Sequence, residues 1–251
     1  MNTNNRRWKL LARQALWGRP GLPILACFLV MLLNLAGSYL SGIFFPGTGA
    51  MSIVLGEIFA LGLSVLFCLF SAGLYRMLLH MARREEYQLS DLLWYFKNQP
   101  DRILMASLVL AVIAWLTSLP ASIYNYSMPA PTTEQEYYNL LLTYMILSLA
   151  GVAVNLLVTV PLSMTYYLPC DNEELGGMEA LKRSAAVMKG HALQYILLQI
   201  SFLPLLLLGV VTFYLALLLV VPYMEMSNVM FYRDLIGDIG RNDGGSEYEY
   251  V

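Results

Sequence analysis

From Ala192 to Met224 the chain runs for 33 residues without a charged side chain. Several other apolar runs of this kind occur, and hydrophobic residues make up 58% of the 251 residues. Charged residues make up only 13%, whereas an ordinary globular domain contains about 25%. A soluble fold would have to hide all of these runs, but a bilayer solvates their outward faces. We therefore predict an all-α fold, a polytopic helical membrane bundle.

Four further apolar runs have a length that suits membrane-crossing helices: Leu22–Ile43, Ile53–Leu79, Ile103–Tyr124 and Leu140–Leu168. The first contains 22 residues and no charge, enough for a helix to cross a hydrocarbon core about 30 Å thick. It is longer than the apolar part of a signal peptide, so we expect an uncleaved first span.

The long run from Ala192 to Met224 leaves the number of spans open. As one straight helix it would measure about 50 Å, which is too long for a single span. Extended to Val187–Tyr232 it contains 46 residues, which is enough for two spans with a turn near Gly209. Hydropathy alone is therefore compatible with five spans or six.

The distribution of positive charge favours six spans. The chain has 15 Lys and Arg residues, and none falls in the loops Phe44–Ser52 and Asn125–Asn139. With six spans every basic residue lies on one side of the membrane, as the positive-inside rule requires of the cytoplasmic side. With five spans, Arg233 and Arg241 would lie outside. We therefore predict six transmembrane helices in three hairpins, with both termini in the cytoplasm.

A threefold pattern accompanies this arrangement. Each predicted hairpin follows a short amphipathic segment, of the kind that lies on a membrane surface. These segments are Arg6–Trp17, Leu89–Phe96 and Met178–Met188. The predicted units are residues 6–80, 89–170 and 178–236, within a single membrane domain formed by residues 1–236. Residues 237–251 are polar, and we expect them to form a disordered cytoplasmic tail.

The chain resembles a known family over most of its length, most sharply from about Ala180 to Leu235. The residues that carry the resemblance are Ser184, Met188-Lys189-Gly190-His191, Ile200-Ser201-Phe202, Pro222-Tyr223 and Phe231-Tyr232-Arg233-Asp234-Leu235. This pattern is similar to an uncharacterised family of bacterial integral membrane proteins, catalogued as domain of unknown function 975. The resemblance implies a bacterial plasma-membrane protein with several spans, and it implies no activity.

Candidate site residues are few. The sequence contains no hydrolase signature, phosphate-binding glycine loop or metal-ligand spacing, so we predict no catalytic, cofactor-binding or metal residue. Glu225, Asn228 and Tyr232 are spaced so that they share one face of the last predicted span. Arg76 ends another span on the same side and is the predicted partner of Glu225. These four residues form either a structural lock or a site for an ion, a proton or a lipid headgroup, whereas Glu57 is expected at the outer membrane boundary.

Three classes of function fit these observations. A non-enzymatic protein that organises or assists partner proteins or lipids is favoured, because no catalytic constellation is present. A transporter or permease-like protein for a small solute or lipid is the alternative, and an intramembrane enzyme is the third. We expect membrane lipids and membrane proteins as partners, no nucleic acid and no cofactor. The sequence does not define the oligomeric state.

Overall fold

The computed structural model describes residues 3–47, 49–129, 131–212 and 214–239. Within these ranges the regular secondary structure is entirely helical, which confirms the all-α prediction. The helices are α1 Thr3–Leu16, α2 Gly21–Phe44, α3 Ala50–Ala82, α4 Trp94–Lys97, α5 Pro100–Ser127, α6 Glu134–Thr159, α7 Leu168–Asp171, α8 Gly177–Met188, α9 Ala192–Ile200, α10 Leu203–Val211 and α11 Leu217–Leu235. Short 3-10 helices form at Leu89–Leu93 and Val160–Leu162.

Five helical segments of the described residues are long and apolar enough to cross a membrane. They are Gly21–Phe44, Met51–Ala82, Pro100–Ser127, Glu134–Leu162 and Ala192–Gly209. This number indicates a membrane protein but does not confirm the six-helix arrangement. The remaining predicted span corresponds to α11, which has 19 residues but carries Glu225, Arg233 and Asp234.

The fourth predicted run differs from the helix that forms. Helix α6 begins at Glu134, six residues before the predicted start, because the Thr133 hydroxyl accepts a 3.2 Å hydrogen bond from the backbone N–H of Glu136. The helix ends at Thr159 rather than Leu168. Pro161 has no N–H to continue the α-helical ladder, so a 3-10 turn follows.

The turn predicted near Gly209 falls a few residues later in the chain. Gly209 lies inside α10, and turns occur at Thr212 and at residues 214–216, where Tyr214 adopts a φ of 67°. A Cβ atom on Gly209 would come within 2.3 Å of the Leu217 side chain. The glycine therefore permits close approach of α10 and α11 and is not the turn itself.

The buried core lies at one end of the bundle, where α2 begins and where α3 and α11 end; we call this the basic end. Residues from Met226 to Arg233 in the second half of α11 are all buried, whereas in its first half Val220 and Pro222 are the buried residues. Helix α1 packs along α11, with Trp8 and Ala12 buried between them. By contrast α6 packs against α5 and the turn that follows α6.

Short helices precede the longer ones in the order that the threefold pattern predicts. Helix α1 precedes α2 and α3, and the segment Leu89–Lys97 precedes α5 and α6. Helix α8 precedes α9 and α10, which are separate helices of 9 residues each, and then α11. The placement of α1, Leu89–Lys97 and α8 on a membrane surface stays a prediction. The predicted tail starts at residue 237, and its second residue, Asp238, forms ion pairs with Arg83 and Arg233. Residues 240–251 lie outside the described ranges.

Candidate polar site

Glu225 and Asn228 lie side by side on α11, as their spacing predicts. The Asn228 Nδ2 amide donates a 3.3 Å hydrogen bond to Glu225 Oε2. Asn228 Oδ1 in turn accepts a 2.7 Å hydrogen bond from Gln199 Nε2 on α9. These two bonds link the carboxylate on α11 to α9 through side-chain amides, which is a partner that the sequence did not suggest.

Three tyrosines interact electrostatically with the Glu225 carboxylate. They are Tyr75 of α3, Tyr167 of the turn after α6 and Tyr195 of α9. The rings of Tyr75 and Tyr167 are 4.8 Å apart. Cys27 of α2 also approaches the carboxylate. Among the described residues, Glu225 forms no ion pair with Lys, Arg or His.

The predicted pairing of Arg76 with Glu225 is wrong. The Arg76 guanidinium lies 3.5 Å from the Glu173 carboxylate and 3.8 Å above the Trp94 ring. The reason is helix geometry, because successive residues on an α-helix point about 100° apart. Tyr75 faces α11, so its neighbour Arg76 faces the segment that contains α4.

Tyr232 belongs to a different set of contacts from Glu225. Its hydroxyl donates a 2.5 Å hydrogen bond to Asp171 Oδ2, and its ring stacks on Tyr167 at 5.1 Å. Tyr232 lies seven positions after Glu225 on α11, which corresponds to about 10 Å along the helix axis. The shared ring of Tyr167 is the link between the two sets.

An ion-pair network closes the basic end of the bundle. Arg83 lies 2.6 Å from Asp171 and 2.9 Å from Asp238. Arg233 is only 2% exposed, contacts Asp238 at 2.9 Å and donates to the backbone oxygen of Ala82 at 2.6 Å. The network therefore holds together the ends of α3, α7 and α11.

Opposing effects act on the pKa of the Asp238 carboxyl. Burial raises this pKa, but the hydrogen bonds and charges of Arg83 and Arg233 outweigh burial and hold the pKa below its ordinary value. The ionised carboxylate is thus the form that the folded protein stabilises.

Sequence reasoning missed both carboxylates of this network. Asp171 follows the fourth predicted apolar run and Asp238 lies in the predicted polar tail, and neither has a spacing that marks it as a partner of an arginine. The only signal was that Arg233, in the last turn of a largely apolar segment, needed some acidic partner.

Five apolar helical segments among the described residues, each long enough to cross a membrane, indicate a helical membrane protein. No group of three or more metal-ligating side chains occurs among the described residues. The chain belongs to the family described as protein of unknown function DUF975, whose match covers residues 1–238. This confirms the family resemblance, including its extent over most of the chain. No curated protein and no solved structure shows significant similarity to the chain.

Proposed function

We propose that this chain is a non-enzymatic, multi-pass protein of a bacterial plasma membrane that organises partner proteins or lipids. In this proposal six helices cross the membrane in three hairpins and both termini are cytoplasmic. Helix α11, with 19 residues, would be the sixth span and would measure about 28 Å.

The basic end supports this topology. Arg83 at the end of α3 and Arg233 near the end of α11 share Asp238 as a partner, so both helices end on the same side. An even number of crossings therefore separates α3 from the end of α11. The positive-inside rule assigns the arginine-rich side to the cytoplasm.

Helix α6 is the observation that carries the organising role. None of its 26 residues, all of which are described, is buried. It packs against α5 and the turn after α6, and it exposes a long apolar surface that includes Leu142, Leu149 and Leu157. The basic end is held by ion pairs, whereas α6 has a broad surface that a transmembrane helix of another protein or ordered lipid can cover.

Site-specific cross-linking tests the organising role. A photoreactive residue at Leu149 on α6 is expected to form a discrete adduct with a membrane protein or lipid, and the same residue at buried Leu78 on α3 is the control. Adducts are identified after purification in mild detergent. Equal yields from both positions, or only self-adducts at both, would overturn the proposal.

The alternative function, transport of a small solute or lipid, is favoured by Glu225. Its carboxylate accepts a hydrogen bond from the Asn228 amide and forms no ion pair among the described residues. Carboxylates within membrane helices often belong to ion or proton pathways. Uptake into vesicles that depends on Glu225 would support transport over the organising role.

A further inference from the structure

A groove runs along the bundle between α2 and α5. Both helices pack on α3, which forms the floor of the groove. Two adjoining cavities occupy it, with volumes of about 340 Å³ and about 350 Å³. Glu57 and Ala60 of α3 line both cavities, so the two form one continuous groove.

The groove extends from the end opposite the basic end towards the middle of the bundle. Its outer cavity includes Tyr126, next to the last residue of α5. Its inner cavity includes Asn34 and Trp115. Asn34 lies ten residues before Phe44, the last residue of α2, which corresponds to a depth of about 15 Å along the helix.

Glu57 is the charged residue of this groove. Its side chain is exposed and makes no ion pair among the described residues, and no Lys or Arg lines either cavity. Trp115 and Phe67 contribute aromatic surface to the inner cavity, and Phe45 and Tyr126 contribute it to the outer one. The lining thus combines one carboxylate with aromatic rings, the two groups that attract an organic cation.

A close contact shapes the inner wall. A Cβ atom on Gly37 would lie 2.6 Å from the ring of Phe67, so the absence of a side chain there lets this ring sit against α2. Ser64 and Ala111, which have small side chains, line the same cavity. Space for a ligand therefore lies next to the rings and is not filled by them.

We propose that this groove binds an organic monocation with an apolar body, whose charge pairs with Glu57 and whose body lies against Trp115 and Phe67. The volume suits a drug-sized molecule. A bare divalent metal ion fits poorly, since it requires several oxygen ligands in a compact shell. Anionic amphiphiles are disfavoured by the Glu57 carboxylate. The inference does not depend on the organising role.

Two probes of nearly equal shape and opposite charge test the inference. Tetraphenylphosphonium and tetraphenylborate are each titrated into the purified protein in nonionic detergent, with empty micelles as the blank. Saturable binding is expected for the phosphonium cation, and weaker binding by about tenfold or more for the borate anion. Equal saturable binding of both, or no binding beyond the micelle blank, overturns the proposal.

Variants assign the binding to Glu57. Glu57→Gln is expected to weaken phosphonium binding about tenfold, whereas Glu134→Gln, an exposed carboxylate at the same end of the bundle, is expected to leave it unchanged. Thermal unfolding checks that each variant is folded. If Glu57→Gln fails to fold, Trp115→Leu provides the same test, because loss of the ring should weaken binding while borate binding stays low. Unchanged phosphonium affinity in the folded variant would contradict the assignment.

Discussion

The indole N–H of Trp8 donates a 3.0 Å hydrogen bond to the Asp234 carboxylate, although the two residues are 226 positions apart in the chain. The same indole meets the ring of Phe231 edge-on at 4.8 Å. Helix α1 is thereby attached to the buried half of α11. An amphipathic segment that the sequence assigns to the membrane surface thus also forms part of the protein core.

Trp8→Phe should lower the stability of the protein. It keeps the aromatic packing on Phe231 but removes the hydrogen bond to Asp234, at a cost of about 1 kcal/mol, or roughly 2–4 °C in Tm. Thermal unfolding in detergent measures the change. Trp17→Phe is the control, because Trp17 is 75% exposed and should show no such loss.

Asp238→Asn should destabilise the basic end. The substitution leaves the buried Arg233 guanidinium without its carboxylate and removes one of two partners of Arg83. Removing one member of a buried ion pair costs about 3–5 kcal/mol, and less where the site is partly exposed as it is here. Asp101→Asn, an exposed carboxylate in the first turn of α5, is the matched control. Equal unfolding temperatures for the two variants would contradict the role of the network.

The Asp238 carboxylate should also make stability depend on pH. Its folded-state pKa lies below the ordinary value because Arg83 and Arg233 outweigh the opposing effect of burial. Its stabilising contribution is therefore fully present above the unfolded pKa of about 4 and is lost as the pH falls through the lower folded-state pKa. The unfolding temperature of the wild type should fall more steeply below pH 4 than that of Asp238→Asn. Parallel curves would show that other carboxylates dominate acid unfolding.

Gly73→Ala should push α3 away from the segment Leu89–Lys97, which packs against it. A Cβ atom at Gly73 would lie 2.5 Å from the backbone oxygen of Leu92 and 2.6 Å from that of Asp91. Relief of this overlap requires backbone movement, with a cost of about 1–3 kcal/mol. Gly62→Ala on the same helix meets nothing within 4 Å and should leave stability unchanged or raise it. The difference between the two unfolding temperatures is the measurement.

Glu225→Gln should change stability by less than about 1 kcal/mol, because a glutamine oxygen also accepts the hydrogen bond from Asn228. A further Arg76→Gln substitution should give no rescue, since Arg76 contacts Glu173 and Trp94. A double-mutant cycle of unfolding temperatures measures the coupling. A large loss of stability in Glu225→Gln that the further Arg76→Gln substitution reverses would instead support a direct interaction between the two residues.

The six-span topology predicts which side of the membrane each loop occupies. In a variant without native cysteines, Thr132→Cys in the α5–α6 loop should react with an impermeant thiol reagent added to intact cells. Ser246→Cys, which lies outside the described residues, should react only after the cells are opened. Strong labelling of Ser246→Cys in intact cells would contradict the proposal of six spans.

The amino-acid pattern alone was sufficient to predict the helical class and the approximate extent of most long helices. An uncharged run such as Leu22–Ile43 has few alternatives, because in lipid the backbone must satisfy its own hydrogen bonds within the segment. The predicted run became α2, Gly21–Phe44. The ends of the helices were predicted less well, because the capping hydrogen bond to Thr133 and the missing backbone N–H of Pro161 are not reflected in hydropathy.

Contacts between side chains of different helices, in contrast, depend on how the helices pack together. The spacing of Glu225 and Asn228 placed them on one face correctly, since that relationship depends on a single helix. The partner of Arg76 depends on the rotation of α3 relative to α11, and a shift of one residue turns a side chain by about 100°. Asp238 meets Arg83 across 155 positions of sequence, and Glu57 lies in a groove that exists only because α2 and α5 pack on the same helix. Such relationships join distant residues through packing, for which a local pattern of apolar and charged residues carries no signal.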